Sequence, residues 1–286
     1  MITVALSILF STITVSFFKL FERYKVDTLQ AIIANYITCI LLGLFLMNDS
    51  SITEKLKQFT GYEYTLFLGF LFISIFLSIA KTAQTISVSA SMVAAKLSVV
   101  IPVVASVFLY NEALSMFKMA GIILSLIAVW FISNKDEDAH LKDNKYLLLP
   151  LIVFIGSGLI DTMLKLMQSK FIPPLNEALI VTLVFANAFA FGVLYLSYQT
   201  ITGKTTINLK SLVWGVFLGL PNYFSMFFLV KTLTLFDASM IFPINNIGIV
   251  GLSTFAGIWF FNEKLNNLNK AGLVLAILSI IVISLF

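Results

Sequence analysis

Ten apolar runs, each close to the length of a bilayer-crossing helix, follow one another along the 286 residues, separated by short clusters that carry nearly all the charge. A helix needs about 20 mainly apolar residues to cross about 30 Å of hydrocarbon. The runs fall near 2–20, 28–47, 64–80, 88–110, 116–133, 146–167, 178–199, 211–230, 238–261 and 268–286, and each predicts a spanning helix. A membrane β-barrel would alternate apolar and polar residues in segments of about ten, whereas FLGFLFISIFLSIA and GLVLAILSIIVISLF are apolar on every side. Only a helix satisfies its own backbone in such a run. With 59% hydrophobic and 11% charged residues, and a mean hydropathy of +1.01, the chain lacks the polar surface a soluble globule requires. The fold expected is an all-α integral membrane protein of ten transmembrane helices.

Several function classes drop out on composition and motif. The first run has no basic leader and no small-residue cleavage site, so it reads as a retained helix. Cys39 is the only cysteine, which excludes disulfides and cysteine metal clusters within the chain. The net charge of +4 is spread through the loops, with no basic block of the kind a nucleic-acid partner requires. No phosphate-cradling G-x-x-x-x-G-K-[ST] is present, so transport would be secondary or facilitated. The sole histidine, His140, lies in the charged loop NKDEDAHLKDNK, and H-E-x-x-H is absent. An enzyme, a cofactor and a bound metal are therefore not expected.

The sequence repeats itself. Residues 111–133, NEALSMFKMAGIILSLIAVWFIS, align without a gap to 262–284, NEKLNNLNKAGLVLAILSIIVIS, with eight of 23 positions identical. Upstream, Lys81-Thr82 answers Lys231-Thr232 and Ala90-Ser91-Met92 answers Ala238-Ser239-Met240; more weakly, Ser11 answers Ser157, and Ala34-Asn35 answers Ala186-Asn187. The expected units are 1–134 and 146–286, joined by a charged loop at 135–145. Five helices per unit is an odd number, so the second unit enters the membrane from the opposite side. Inverted repeats of this kind place a binding site near the midplane and support alternating access.

The paired ASM[VI] openings of the fourth and ninth runs, the closing [YF]-N-E-x-L (Tyr110 to Leu114, Phe261 to Leu265) and the following Ala-Gly-x-x-L resemble the ten-helix EamA-type branch of the drug/metabolite transporter superfamily. The resemblance covers essentially the whole chain. It implies a 5+5 bundle in the cell (cytoplasmic/inner) membrane that moves small polar metabolites, often amino acids outward, without ATP. Lys96 departs from it, since the family more commonly has an uncharged residue there.

Polar residues at membrane depth mark the candidate site. Lys96 costs about 2.5–3.5 kcal/mol on an insertion scale at a helix centre. It either lines a cavity, with a substrate or proton role, or snorkels and bonds carbonyls freed around Pro102. Asp161 is its natural counterpart, but Lys165, four residues on, offers a local pair. If that pair forms, a substrate carboxylate becomes the partner of Lys96. Asn245 and Asn246 occupy nearly the position in the second unit that Lys96 holds in the first. Asn35 and Asn187 either extend the lining or join helices by hydrogen bonds. Asn222 and Tyr223 follow Gly219 and Pro221, where a local break would free carbonyls, and Gln84 is a weaker candidate near the third-to-fourth turn. Glu112 and Glu263 are expected to cap the fifth and tenth helices. The function expected is export of small polar metabolites such as amino acids or carboxylates, with proton coupling as a candidate drive. The alternatives are a flippase for a lipid-linked headgroup and a non-transporting assembly subunit.

Overall fold

The computed structural model describes residues 2–47, 56–57, 59–101, 104–105, 116–133, 145–171, 177–233 and 238–285. Ten helices run through them: α1 (Ile2–Arg23), α2 (Thr28–Met47), α3 (Tyr62–Thr85), α4 (Val88–Leu97), α5 (Met116–Ser133), α6 (Lys145–Phe171), α7 (Glu177–Ile201), α8 (Leu209–Leu233), α9 (Ala238–Phe261) and α10 (Asn267–Leu285). No strand occurs among the described residues. Six helices, α1, α2, α3, α7, α8 and α9, are long and apolar enough to cross a membrane, while α4, α6 and α10 hold shorter apolar stretches. The chain is a multi-pass membrane protein.

One expected span differs in form. The fourth, expected over 88–110, is a helix from Val88 to Leu97, is interrupted by a turn at 98–99 in which the Ile101 N–H donates to the Ser98 carbonyl at 2.8 Å, and is helical again at 100–101 and 104–105. Ser98 Oγ donates at 2.6 Å to the Ala95 carbonyl, a local bond that competes with continuation of the helical ladder. Residues 106–110 lie outside the described residues.

Lipid tails are as apolar as leucine, so helices in a bilayer associate by close packing and by shared hydrogen bonds rather than by hydrophobic burial. Glycine supplies the close packing here. A Cβ at Gly215 would meet the backbone of Ala31, one at Gly219 would meet Thr38 and the Asn35 carbonyl, and one at Gly69 would meet Asn187 and Ala188. These positions hold α8 against α2 and α3 against α7. Between α1, α2, α3 and α7 lies an aromatic core, with Phe18 against Phe76 at 5.0 Å and Tyr36 against Phe185 at 5.7 Å between ring centroids. A second core surrounds α4, where Ala90, Val93 and Leu97 meet Phe154, Val250, Ala276 and Ile280.

The first and sixth helices sit differently. α1 packs on α8 and α9 and also on α3 and α4, whereas α6 packs on α3 and α4 but makes no comparable contact with α8 or α9 among the described residues. Because α4 packs on both α6 and α9, it lies between them, and α6 stands apart from the helices of its own half.

Candidate functional site

Nearly all of α4 is buried: Val88, Ser89, Ala90, Ser91, Val93, Ala94 and Leu97 have no exposed surface. Ala95 and Lys96 are the half-buried exceptions. Lys96 occupies the last turn, where the helix presents its negative dipole end and carbonyls without intrahelical donors. That position offsets part of the cost of an ammonium at membrane depth, by about 0.3–1 kcal/mol and up to about 2 in a partly buried setting. The break after Leu97 therefore accounts for a lysine that a continuous helix would hold at greater cost.

On α6, Asp161 is an exposed side chain beside the turn that interrupts the fourth span. Ser98 Oγ lies 3.5 Å from Asp161 Oδ2. Among the described residues no N–O contact of 4.0 Å or less joins Lys96 to Asp161. The two side chains flank the Ser98 turn without forming an ion pair. The side chain of Lys165, the local alternative, lies outside the described residues. Gly158 clears the approach, since a Cβ there would run into Ile101 just beyond the break.

The second-half counterparts are neutral. Asn245 is 1% exposed and Asn246 7%, and Asn245 Oδ1 is a buried acceptor without a hydrogen-bond partner. An orphaned acceptor of this kind costs about 1–3 kcal/mol, which a ligand donor or a water would recover.

The remaining candidates are used at helix seams. Asn222 Nδ2 donates to Asn35 Oδ1 at 3.0 Å, joining α8 to α2, and Cys39 Sγ lies 3.5 Å from the same oxygen. Asn187 Nδ2 donates to Thr65 Oγ1 at 3.2 Å and to the Leu183 carbonyl at 3.1 Å, joining α7 to α3. Asn35 Nδ2 and Tyr36 Oη stay without partners. Tyr223 is buried and packs on Phe224 and Phe227. Gln84 Nε2 bonds the Phe18 carbonyl at 3.0 Å and Thr28 Oγ1 at 2.9 Å, tying the end of α3 to α1 and α2. The structure thus gathers Lys96 and Asp161 with Ser98, and sets Asn35, Asn187, Asn222 and Gln84 in internal hydrogen bonds.

Two features escaped sequence reasoning. Ser98 lies off the stripe that an unbroken helix would give Lys96, and only the turn brings it to Asp161. Glu263 does not cap its own following helix, as its spacing predicts: its Oε1 accepts from the Val88 N–H at 2.7 Å and its Oε2 from Ser89 Oγ at 3.3 Å, at the start of α4. The reason is local: Asn262 takes a left-handed conformation with φ 52°, turning the chain back so that the Glu263 N–H donates to the Gly257 carbonyl at 3.0 Å. The start of α10 is capped by its own residues, with Asn266 Oδ1 accepting from the Asn269 N–H at 2.7 Å. Glu112 lies outside the described residues.

Comparison with known proteins agrees with this architecture. An uncharacterised protein of Haemophilus influenzae is 27% identical over 269 residues, covering 92% of this chain and 90% of its own length. One crystal structure shares the fold with a TM-score of 0.62 at 13% identity, over 99% of this chain and 96% of that one. Residues 1–134 match the EamA-like transporter family, consistent with a membrane protein of the drug/metabolite transporter superfamily.

Proposed function

We propose that the protein is a secondary transporter that exports small polar metabolites, amino acids or carboxylates, through a midplane cavity between two inverted five-helix repeats, 1–134 and 146–286. In this reading all ten helices span the cytoplasmic (inner) membrane. The observation that carries it is a lysine in the last turn of an interrupted helix, two residues before a serine whose Oγ lies 3.5 Å from the Asp161 carboxylate, with no ion pair between the two charges. Interrupted helices whose ends face a cavity are how membrane carriers meet ions and polar substrates.

The repeat is supported by paired contacts. Asn35 and Asn187 correspond in sequence, as do Gly69 and Gly219, which keep the spacing of Lys81 and Lys231. Gly219 lies against Asn35 and Gly69 against Asn187. Each unit's second helix thus meets the other unit's third helix through the same two residue types. Alternating access is supported by the unequal packing of α1 and α6: α1 bridges both units, while α6, among the described residues, makes no comparable contact with α8 or α9. A mirror arrangement would exchange those roles.

In the cavity, Lys96 takes the substrate carboxylate, Asp161 takes an ammonium or the coupling proton, and Asn245 Oδ1 accepts from a substrate N–H or O–H. Charge-assisted hydrogen bonds of this kind contribute about 1.5–3 kcal/mol each. The test is ligand-induced thermal stabilisation over amino acids, carboxylates, sugars and amines, repeated with Lys96→Gln. Stabilisation by carboxylate-bearing ligands should vanish in the variant while the fold persists. An unchanged response removes Lys96 from the site, and a response to amphiphiles alone points to lipid-linked headgroups.

A further inference from the structure

α4 is a short rod fixed at one end. From Val88 to Lys96 it spans about 12 Å at 1.5 Å per residue. Its far end carries Lys96 and stops at the break. Its near end is held twice: by its own Ser87, whose Oγ accepts from the Ala90 N–H at 2.9 Å, and by Glu263, which reaches in from the turn after α9 to the Val88 N–H and Ser89 Oγ. The second tie is the one that links the two halves of the chain at this point. Gly257 permits it, because a Cβ there would collide with the Glu263 carboxylate and crowd Ser89 Oγ. From α1, Lys19 lends the carboxylate a favourable charge, while itself bound to Glu22 at 3.3 Å and to the Gln84 carbonyl at 3.1 Å.

We propose that Glu263 is a positioning residue for Lys96: its carboxylate latches the start of α4, and release of the latch lets α4 pivot about the break at Ser98 and carry the ammonium into or out of the cavity. The inference rests on the transport reading above, and gives the second half of the chain a handle on a charge held by the first. Within this buried segment the helical ladder is interrupted at residues 98–99 before helix resumes at residue 100, so the turn at Ser98 is where the backbone departs from a continuous helix. The C-terminal end meets the turn at Ser98, and the N-terminal end is held by a carboxylate from the other half.

Cysteine labelling reads this directly, because Cys39, the one native thiol, is buried. Ala95→Cys puts a reporter beside Lys96, and the rate of reaction with a water-soluble maleimide in liposomes measures its access. Glu263→Ala should change that rate about tenfold, and Gly257→Ala, which displaces the carboxylate without removing it, should do the same. Glu263→Gln retains an acceptor for Val88 N–H and should stay within about twofold of the parent. Equal rates in all four proteins, each monodisperse in detergent, would overturn the latch and leave Glu263 as a static cap. If Glu263→Ala fails to fold, Gly257→Ala and Ser89→Ala carry the test, and no change in either overturns the proposal. Ligand stabilisation separates this from the site itself: loss of the Lys96 dependence with labelling still responsive breaks the site reading alone, and the reverse breaks the latch alone.

Discussion

α4 and α9 open on the same Ala-Ser-Met, at Ala90 and at Ala238, and the sequence repeat makes them counterparts, yet they are built differently. The α4 span is interrupted after Leu97, one residue past a lysine, and is helical again at residue 100; α9 runs unbroken from Ala238 to Phe261 with Asn245 and Asn246 in its interior. A charge at membrane depth favours a helix end, where the dipole and free carbonyls meet it. A neutral amide has no such need and stays inside a continuous helix, at the cost of an orphaned oxygen. Positions matched by the sequence repeat therefore differ in backbone as well as in side chain, and the difference follows the charge.

Breaking the charged side of the comparison should have the largest effect. Lys96→Gln should lower transport of carboxylate substrates about 10- to 100-fold in proteoliposomes, the equivalent of one charge-assisted hydrogen bond. Activity at the parent level would mean that the break serves packing and not binding. The seam asparagines come next: Asn222→Ala should destabilise the protein by about 0.5–2 kcal/mol in detergent unfolding, since it removes the bond to buried Asn35. Asn245→Leu should go the other way, raising ligand-free stability by up to about 1 kcal/mol as an unpartnered acceptor is lost, while weakening ligand-induced stabilisation. A fall in ligand-free stability would show that Asn245 already has a structural partner.

The smallest effect is a pH dependence of the latch. Burial outweighs the bonds from Val88 and Ser89 and the charge of Lys19, and holds the Glu263 carboxyl above its usual range. A carboxyl whose pKa is higher when latched than when free is favoured in the latched position by protonation. The latch is thus firmest below the ordinary carboxylate pKa of about 4.3 and loosens as pH rises through the raised value. Val88, Ser89, Ala90 and Ser91 of α4 bring no charge, and Lys19 with Glu22 is the charged pair facing it. Labelling at residue 95, taken as the ratio of parent to Glu263→Gln to cancel the reagent's own pH response, should climb over that window. A flat ratio would detach the carboxyl's ionisation from the motion of α4.

Much of this was legible before any coordinates. Nine of the ten helix extents follow from runs of apolar residues, because hydrocarbon leaves the backbone no alternative to the helix and its thickness fixes the length. Lys96 and Asp161 stood out for the same reason, as charges in a solvent that penalises them. The amides did not sort themselves: Asn35 and Asn187 read as cavity lining or as seam bonds and Asn222 as a cavity residue, and all three serve as seam bonds, since an amide in a membrane is useful in either place and spacing alone does not choose between them.

What the sequence determined by itself was the solvent, the number of apolar helices and which side chains are costly in that solvent. Only the tertiary structure decided that α4 ends beneath its lysine, that Ser98 turns toward Asp161 and that Glu263 reaches across to Val88. The physical reason is range: apolar length and charge are properties of a residue and its neighbours in the chain, whereas a break, a cleft and a latch depend on which distant helix supplies the missing partner.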